Sequence, residues 1–348
     1  MPTPSAPRSL CLLRLSALGD AVHALALVRD LQTAWPGLPI TWVIGKGEAK
    51  LLEGLDGVEF VVFDKKSGWA GLRELRRQLA GREFDVLLNM QLALRAGLAS
   101  TGIRARRRIG FDRARSKEGH SLFINERIPA GGWHVQDAFR QFLQPLGITP
   151  GPIRWDLPVP AEAHEWAAQH LPGEQPTLLV SPCSSHALRN WRPERYAAVA
   201  DHAAGRGWRV AICGGRSELE RKTADAILAA MRAPALDLVG KDTLKQLLAL
   251  LGRATLVLTP DSGPAHMANA MGTAVLGLHA CTDAERSGPY SDRRWTVNRY
   301  AEAAERFMRR PASALPWGKR IEFPGVMDLV TVDEVIARFE SFRSARGL

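Results

Sequence analysis

The chain has 348 residues, 46 Lys and Arg against 36 Asp and Glu, a formal net charge of +10, and 46% hydrophobic residues. At roughly 100 to 200 residues per domain this length predicts two domains, each able to bury its own core, and the ordinary apolar fraction excludes a wholly disordered chain. No run of about 18 uncharged apolar residues occurs, which excludes a membrane-spanning helix, and residues 1–8 lack the apolar core and cleavage site of a secretory signal, so the expected address is the cytoplasm.

Residues 10–15 (LCLLRL) are a short apolar run ending at Ser16-Ala17-Leu18-Gly19-Asp20. Apolar positions at helical spacing follow (Ala21, Leu25, Val28, Leu31) up to Trp35-Pro36-Gly37, giving strand, tight loop and helix. Residues 39–45, 59–63 and 84–90 repeat the buried-strand signature, with amphipathic segments near 47–54 and 69–80, so a parallel sheet covered by helices is predicted. A further strand is expected at 107–111 and a closing helix at 133–146. Gly147, Pro150, Gly151, Pro152, Pro158 and Pro160 then crowd a linker around 147–160. The alternation resumes with strands at 177–181, 208–213, 236–239, 255–259 and 274–279, separated by helices near 194–204, 217–231, 243–251 and 263–271. Two α/β halves result, 1–150 and 151–330. Open sheets of this kind bind ligands beyond the carboxyl ends of their strands, and two facing halves would enclose a cleft.

Cys11, Cys183, Cys213 and Cys281 are scattered singly, which predicts reduced, mostly buried thiols without disulfides or structural zinc. The positive excess is concentrated between Arg104 and Lys117, where Arg104, Arg106, Arg107, Arg108, Arg113, Arg115 and Lys117 are opposed only by Asp112 within that window. Such a run suits nucleic acid, anionic lipid headgroups or phosphorylated substrates, or simply a solvated face.

Several strand-end segments hold chemistry-bearing side chains. Asp20 falls where a helix begins, a place that suits a carboxylate as a cap or as a catalytic group, and His23 lies on the same helix face. Ser184, Ser185 and Arg189 follow a strand and offer hydroxyls and a forked guanidinium to phosphate oxygens, or form an ordinary polar loop. Cys213-Gly214-Gly215-Arg216-Ser217-Glu218 is not G-x-G-x-x-G, but a carboxylate after a strand can accept bonds from ribose hydroxyls. Thr259-Pro260-Asp261-Ser262-Gly263-Pro264-Ala265-His266 ends a strand and opens a helix whose first free amides suit a diphosphate, or it builds a well-capped structural helix. The chain has no D-x-D, H-E-x-x-H, P-loop or G-x-S-x-G pattern. A dedicated metal site is not expected, and kinase-like, hydrolase-like and thiol chemistry lose ground.

At RLSALGDAVHALALV, SSHALRNWRPERY, CGGRSELERK, TPDSGPAHMANAMG and LHACTDAERSGPY the sequence resembles glycosyltransferase family 9, the heptosyltransferases of lipopolysaccharide core synthesis, over about residues 10–290. Within the family, GKGEAKLL, NMQLALRAGLAS and RRIGFDRARSKEGHSLF look most like heptosyltransferase I. The resemblance implies an α/β GT-B fold of two facing Rossmann-like domains with parallel sheets, acceptor on the first and nucleotide-sugar on the second. A terminal helix at 332–343, within a separate segment 331–348, would pack back on the first domain.

The resemblance further implies an inverting, metal-independent transfer from ADP-heptose to Kdo of lipid A, with no cofactor. Asp20 matches the proposed general base. Ser184, Ser185, Arg189, Glu218, Asp261, Ser262, Gly263 and His266 match donor-binding positions, with Arg189 where the family commonly has lysine. Gly19, His23, Arg95, Arg113, Arg115 and Lys117 are the expected acceptor contacts, by position and charge. Asn89 stands where relatives can carry an acidic residue, and Ala26 replaces a proline often found there. The expected partners are a nucleotide-sugar and an anionic Kdo-lipid A met by peripheral contact with the inner membrane, the protein acting as a monomer. Alternatives are a family 9 enzyme with another donor or core acceptor, a nucleic-acid-binding protein using 104–117, and a nicotinamide oxidoreductase, which lacks its Gly-rich fingerprint.

Overall fold

The computed structural model describes residues 6–348, so part of the 1–8 stretch read for a leader lies outside the described residues. Two compact units divide between Pro158 and Val159.

The N-terminal unit runs β1 (Leu10–Leu13), α1 (Leu18–Ala34), β2 (Ile40–Ile44), α2 (Lys46–Leu52), β3 (Val58–Val62), α3 (Gly68–Gln78), β4 (Phe84–Asn89), α4 (Leu94–Ser100), β5 (Ala105–Gly110), β6 (Glu126–Arg127) and α5 (Val135–Arg140). Its strands pair in parallel in the order β3-β2-β1-β4-β5-β6. Every residue of β1 and β2 is buried, as expected for strands covered on both faces. α1 is buried nearly all round, because α5 packs on it from outside.

The C-terminal unit runs α6 (Ala161–His170), β7 (Thr177–Val180), α7 (Pro193–Gly205), β8 (Arg209–Ile212), α8 (Glu218–Ala230), β9 (Leu236–Asp237), α9 (Leu244–Arg253), β10 (Leu256–Pro260), α10 (Gly263–Ala270), β11 (Ala274–His279), α11 (Ala284–Ser287), β12 (Val297–Asn298), α12 (Tyr300–Met308) and α13 (Val332–Arg346). Its parallel order is β12-β11-β10-β7-β8-β9. Numbered within each unit, both sheets read 3-2-1-4-5-6, the doubly wound order whose ligands bind where the strand order reverses. Those points are β1/β4 in one unit and β7/β10 in the other.

The boundary between the units falls inside the proline-rich stretch 147–160, and the part before Pro158 is packed on the N-terminal unit: Trp155 is buried, and Arg29 of α1 donates Nε to the Trp155 carbonyl at 3.1 Å and Nη2 to that of Asp156 at 2.6 Å. α13 belongs to the C-terminal core, where the Phe339 ring meets Trp208 at 4.9 Å and Phe342 meets Trp295 at 5.3 Å between centroids. The four cysteines are free and buried, and no helix among the described residues is long and apolar enough to cross a membrane.

Candidate active site

Asp20 sits in the first turn of α1, three residues beyond the extended N-cap Ala17, just past the end of β1. Its carboxylate accepts the Ala17 N–H at 3.2 Å and forms an ion pair with Arg14, whose side chain is nearly buried while that of Asp20 keeps 30% of its surface exposed. A carboxylate there also gains from the helix dipole. Arg14 is itself anchored, donating to the Met90 carbonyl at 2.5 Å and lying 5.0 Å from the Phe139 ring centre. The sequence reading gave Arg14 no role, although it stands inside the quoted loop. Gln91 ties the same loop down, accepting the Leu15 N–H at 2.7 Å and donating to Ser16 Oγ at 3.3 Å.

The expected acceptor contacts fall into two groups. Arg95, Arg113 and Lys117 are exposed. Gly19, His23 and Arg115 are buried: His23 Nδ1 donates to Gln136 Oε1 at 2.8 Å, and Gln136 Nε2 donates to the His23 carbonyl at 3.0 Å. Arg115 is ion-paired with Asp112 and donates to the Pro129 carbonyl and Gln141 Oε1, both at 2.8 Å, so it holds the loop rather than presenting charge.

The run 104–117 is accordingly no continuous cationic face. Arg106 pairs with Glu83 and Arg107 with Glu126, while Arg108 spends its guanidinium on the carbonyls of Phe123, Ile103 and Ser100. Successive residues of β5 project to opposite faces of the sheet and meet different neighbours, which a linear charge count does not see. Asn89, at the end of β4, is fully buried with neither side-chain atom hydrogen-bonded.

In the C-terminal unit, Asp261 and Ser262 join β10 to α10, whose N-cap is Ser262 and whose first turn carries Pro264 and no acidic residue. The Gly263 and Ala265 amides, which have no acceptor within the helix, suit an anion-binding helix start. Ser262 Oγ shares a 2.8 Å hydrogen bond with Thr259 Oγ1. His266 Nε2 lies 3.6 Å from Asp261 Oδ1, and Ser287 Oγ donates to Asp261 Oδ2 at 3.1 Å. Burial pushes the Asp261 carboxyl up, but His266, His279 and Thr282 outweigh it and hold the group well below the usual carboxylate range. His279, itself buried and so pushed below its ordinary value, and Ser287 were missed by the sequence reading, because β11 and α11 meet this turn only in the fold.

The loop after β7 is held partly by its own hydrogen bonds and partly from outside. Ser184 Oγ donates to the His186 carbonyl at 3.0 Å, and exposed Ser185 accepts from Arg189 at 3.3 Å. Arg189 is ion-paired with Glu322 at 3.2 Å, so an incoming phosphate competes with Glu322 for it. Glu218 points outward with its carboxylate 2.6 Å from Lys222. Nearer the strand ends are Glu220, which accepts the Gly215 N–H at 2.6 Å, and Asp242, whose carboxyl burial and the Glu220 charge push up to about 6 despite Arg216. Both lay outside the expected donor set. Among the described residues no group of three or more His, Cys, Asp or Glu is placed to hold a metal ion.

The sequence model of glycosyltransferase family 9 (heptosyltransferase) matches residues 72–317. The chain is 39% identical to the lipopolysaccharide core heptosyltransferase OpsX of Haemophilus influenzae, over 96% of this chain and 97% of that protein. It is 25% identical to lipopolysaccharide heptosyltransferase 1 of Pseudomonas aeruginosa, over 80% of each. Among solved structures, a family 9 glycosyl transferase from Veillonella parvula superposes with a TM-score of 0.79 at 20% identity, covering 96% of this chain and 97% of that one. The E. coli heptosyltransferase WaaC with ADP gives 0.72 at 18%, covering 96% and 99%.

Two parallel doubly wound α/β units with this likeness define the GT-B fold. The chain belongs to glycosyltransferase family 9. The expected likeness to heptosyltransferase I is corrected: whole-chain identity favours OpsX, and the three short runs that suggested the subtype are outweighed by it.

Proposed function

We propose that this enzyme is a lipopolysaccharide core heptosyltransferase that moves heptose from ADP-L-glycero-D-manno-heptose to a Kdo hydroxyl of the lipid A inner core, with inversion and without a metal ion, at the cytoplasmic face of the inner membrane. The observation that carries the reading is Asp20: a partly exposed carboxylate fixed at the β1 strand end by Arg14 and the Ala17 N–H. As the acceptor oxygen bonds to the anomeric carbon and the bond to ADP breaks, the acceptor proton passes to Asp20. A base of this kind needs position more than an unusual pKa, since the hydroxyl turns acidic as the new bond forms.

The leaving diphosphate gains charge in the same step. The α10 amides, His266 and Arg189 supply preorganised donors for it. Family membership and the names of the relatives support the heptose donor and the lipopolysaccharide acceptor.

The test is transfer by purified enzyme from a panel of nucleotide sugars to deacylated Kdo-lipid A in excess chelator, with the product's anomeric configuration read by NMR. Heptose transfer with inverted configuration is expected. Preference for another sugar, retention, or an absolute need for added divalent metal overturns the corresponding part of the proposal.

A further inference from the structure

Four of the exposed large apolar side chains among the described residues, Trp69 (73% exposed), Leu122 (85%), Leu94 (48%) and Leu98 (40%), stand on three neighbouring elements of the N-terminal unit. Leu94 and Leu98 are one helical turn apart on α4 and share a face. On one side of α4, Arg95 Nη1 donates to the Lys65 carbonyl at 3.1 Å, which brings the start of α4 to the loop that leads into α3 and Trp69. On the other side Gly97 leaves room for the Phe123 ring, since a Cβ there would overlap it, and so seats the 3-10 turn His120–Phe123 that carries Leu122. The Leu94 N–H also donates to Glu118 at 2.8 Å, fixing the chain just before that turn.

Cations surround these side chains. Among the described residues Lys66 and Arg73 are exposed and form no ion pair with a carboxylate, and Arg95 donates to a carbonyl. The acidic groups nearby are Asp64, Glu74 and Glu118; Glu74 is paired with Arg77, and Glu118 is engaged by Leu94. An apolar cluster of Trp and Leu rimmed by Lys and Arg complements an anionic bilayer surface: Trp favours the headgroup level, Leu enters the acyl boundary, and long cationic side chains reach the phosphates. The loops into α3 and α4 leave the carboxyl edge of the sheet, the edge at which the β1–α1 loop carries Asp20.

We propose that Trp69, Leu94, Leu98 and Leu122, with Lys66 and Arg73, form the surface by which this enzyme docks on an anionic phospholipid bilayer. It deepens the reading above and rests on it for the purpose of docking, the capture of a lipid-anchored acceptor beside the base.

The test is co-sedimentation of the full chain with vesicles of phosphatidylglycerol and phosphatidylethanolamine, or of phosphatidylcholine alone, for wild type, W69S/L122S, K66E/R73E and the control L219S, whose exposed leucine lies on α8. Wild type and L219S are expected to bind the anionic vesicles and release from them at high salt. Each double variant should lose at least fivefold in bound fraction while melting as wild type does. W69S/L122S should turn over a deacylated soluble acceptor at the wild-type rate but a vesicle-embedded one at least fivefold more slowly. Unchanged binding by both double variants, an equal loss in L219S, or no binding of wild type to anionic vesicles overturns the proposal. Vesicle binding that depends on these residues in a protein without heptosyl transfer would sink the functional reading and leave the surface standing, whereas transfer without vesicle binding would do the reverse.

Discussion

The two units carry the same 3-2-1-4-5-6 sheet and place their chemistry-bearing side chains at the same topological point, yet they furnish it in opposite ways. At the β1/β4 switch of the first, one partly exposed carboxylate, Asp20, is clamped by Arg14 among knitted polar neighbours. At the β7/β10 switch of the second, Asp261 is enclosed by His266, His279, Thr282 and Ser287 at the start of a helix. The first suits taking a proton and the second suits holding an anion. A shared fold therefore says where each site lies, and a handful of side chains say what it does.

Breaking the first site should have the largest effect. Asp20→Asn keeps the shape but removes the base, and kcat should fall roughly 10³-fold, the range for loss of a general base. The Arg115–Asp112 pair sharpens the comparison by separating support from contact. Both side chains are nearly buried, so Arg115→Ala should lower unfolding stability by about 3–5 kcal/mol in denaturant titration. Arg113→Ala, at an exposed position, should leave stability alone and raise KM for the acceptor.

In the second unit, Asp261→Ala should weaken ADP-heptose binding by roughly 10 to 100-fold in calorimetry through loss of the groups it orders. Arg14 is a positioning residue: Arg14→Ala should lower kcat about tenfold with donor KM unchanged, and Arg14→Lys should restore part of it because the charge returns without the fork. An effect on stability alone concerns Asp242. Its carboxyl is raised to about 6 from an unfolded value of 3.8, so the penalty of ionising it in the fold is absent below pH 3.8 and grows as pH rises toward 6. Asp242→Asn should thus melt like wild type at pH 3.5 and, above pH 6, be more stable by up to about 3 kcal/mol, a gain visible in melting temperature.

The sheets were legible because buried parallel strands leave unbroken apolar runs, and LCLL, ITWVI and AVLGLH stand out as such. The two-residue β6 and β12 leave no such trace, and the seven-residue α4 and four-residue α11 are too short for a helical period to register. α6, at 161–170, lay hidden beside the proline cluster taken for a linker.

The turn around Asp261 was legible because its residues are contiguous. Its partners were not, since His279 and Ser287 come from later elements. Arg14 and Asp20 are six positions apart, across a strand end and a helix start, and no periodicity links them. The charge excess of the first half was visible, but pairing with Glu83, Glu126 and Asp112 neutralises three of its arginines. The exposed cations with exposed apolar neighbours lie instead around α3 and α4.

The central claim, that the second unit holds the donor while the first supplies the base, is tested most directly by titrating ADP-heptose calorimetrically into Asp20→Asn and Asp261→Ala and measuring single-turnover transfer by each. Asp20→Asn is expected to keep wild-type donor affinity and lose transfer, and Asp261→Ala to bind donor more weakly with transfer recovering as donor is raised. Loss of donor binding in Asp20→Asn, or near-normal transfer by it, would contradict the account.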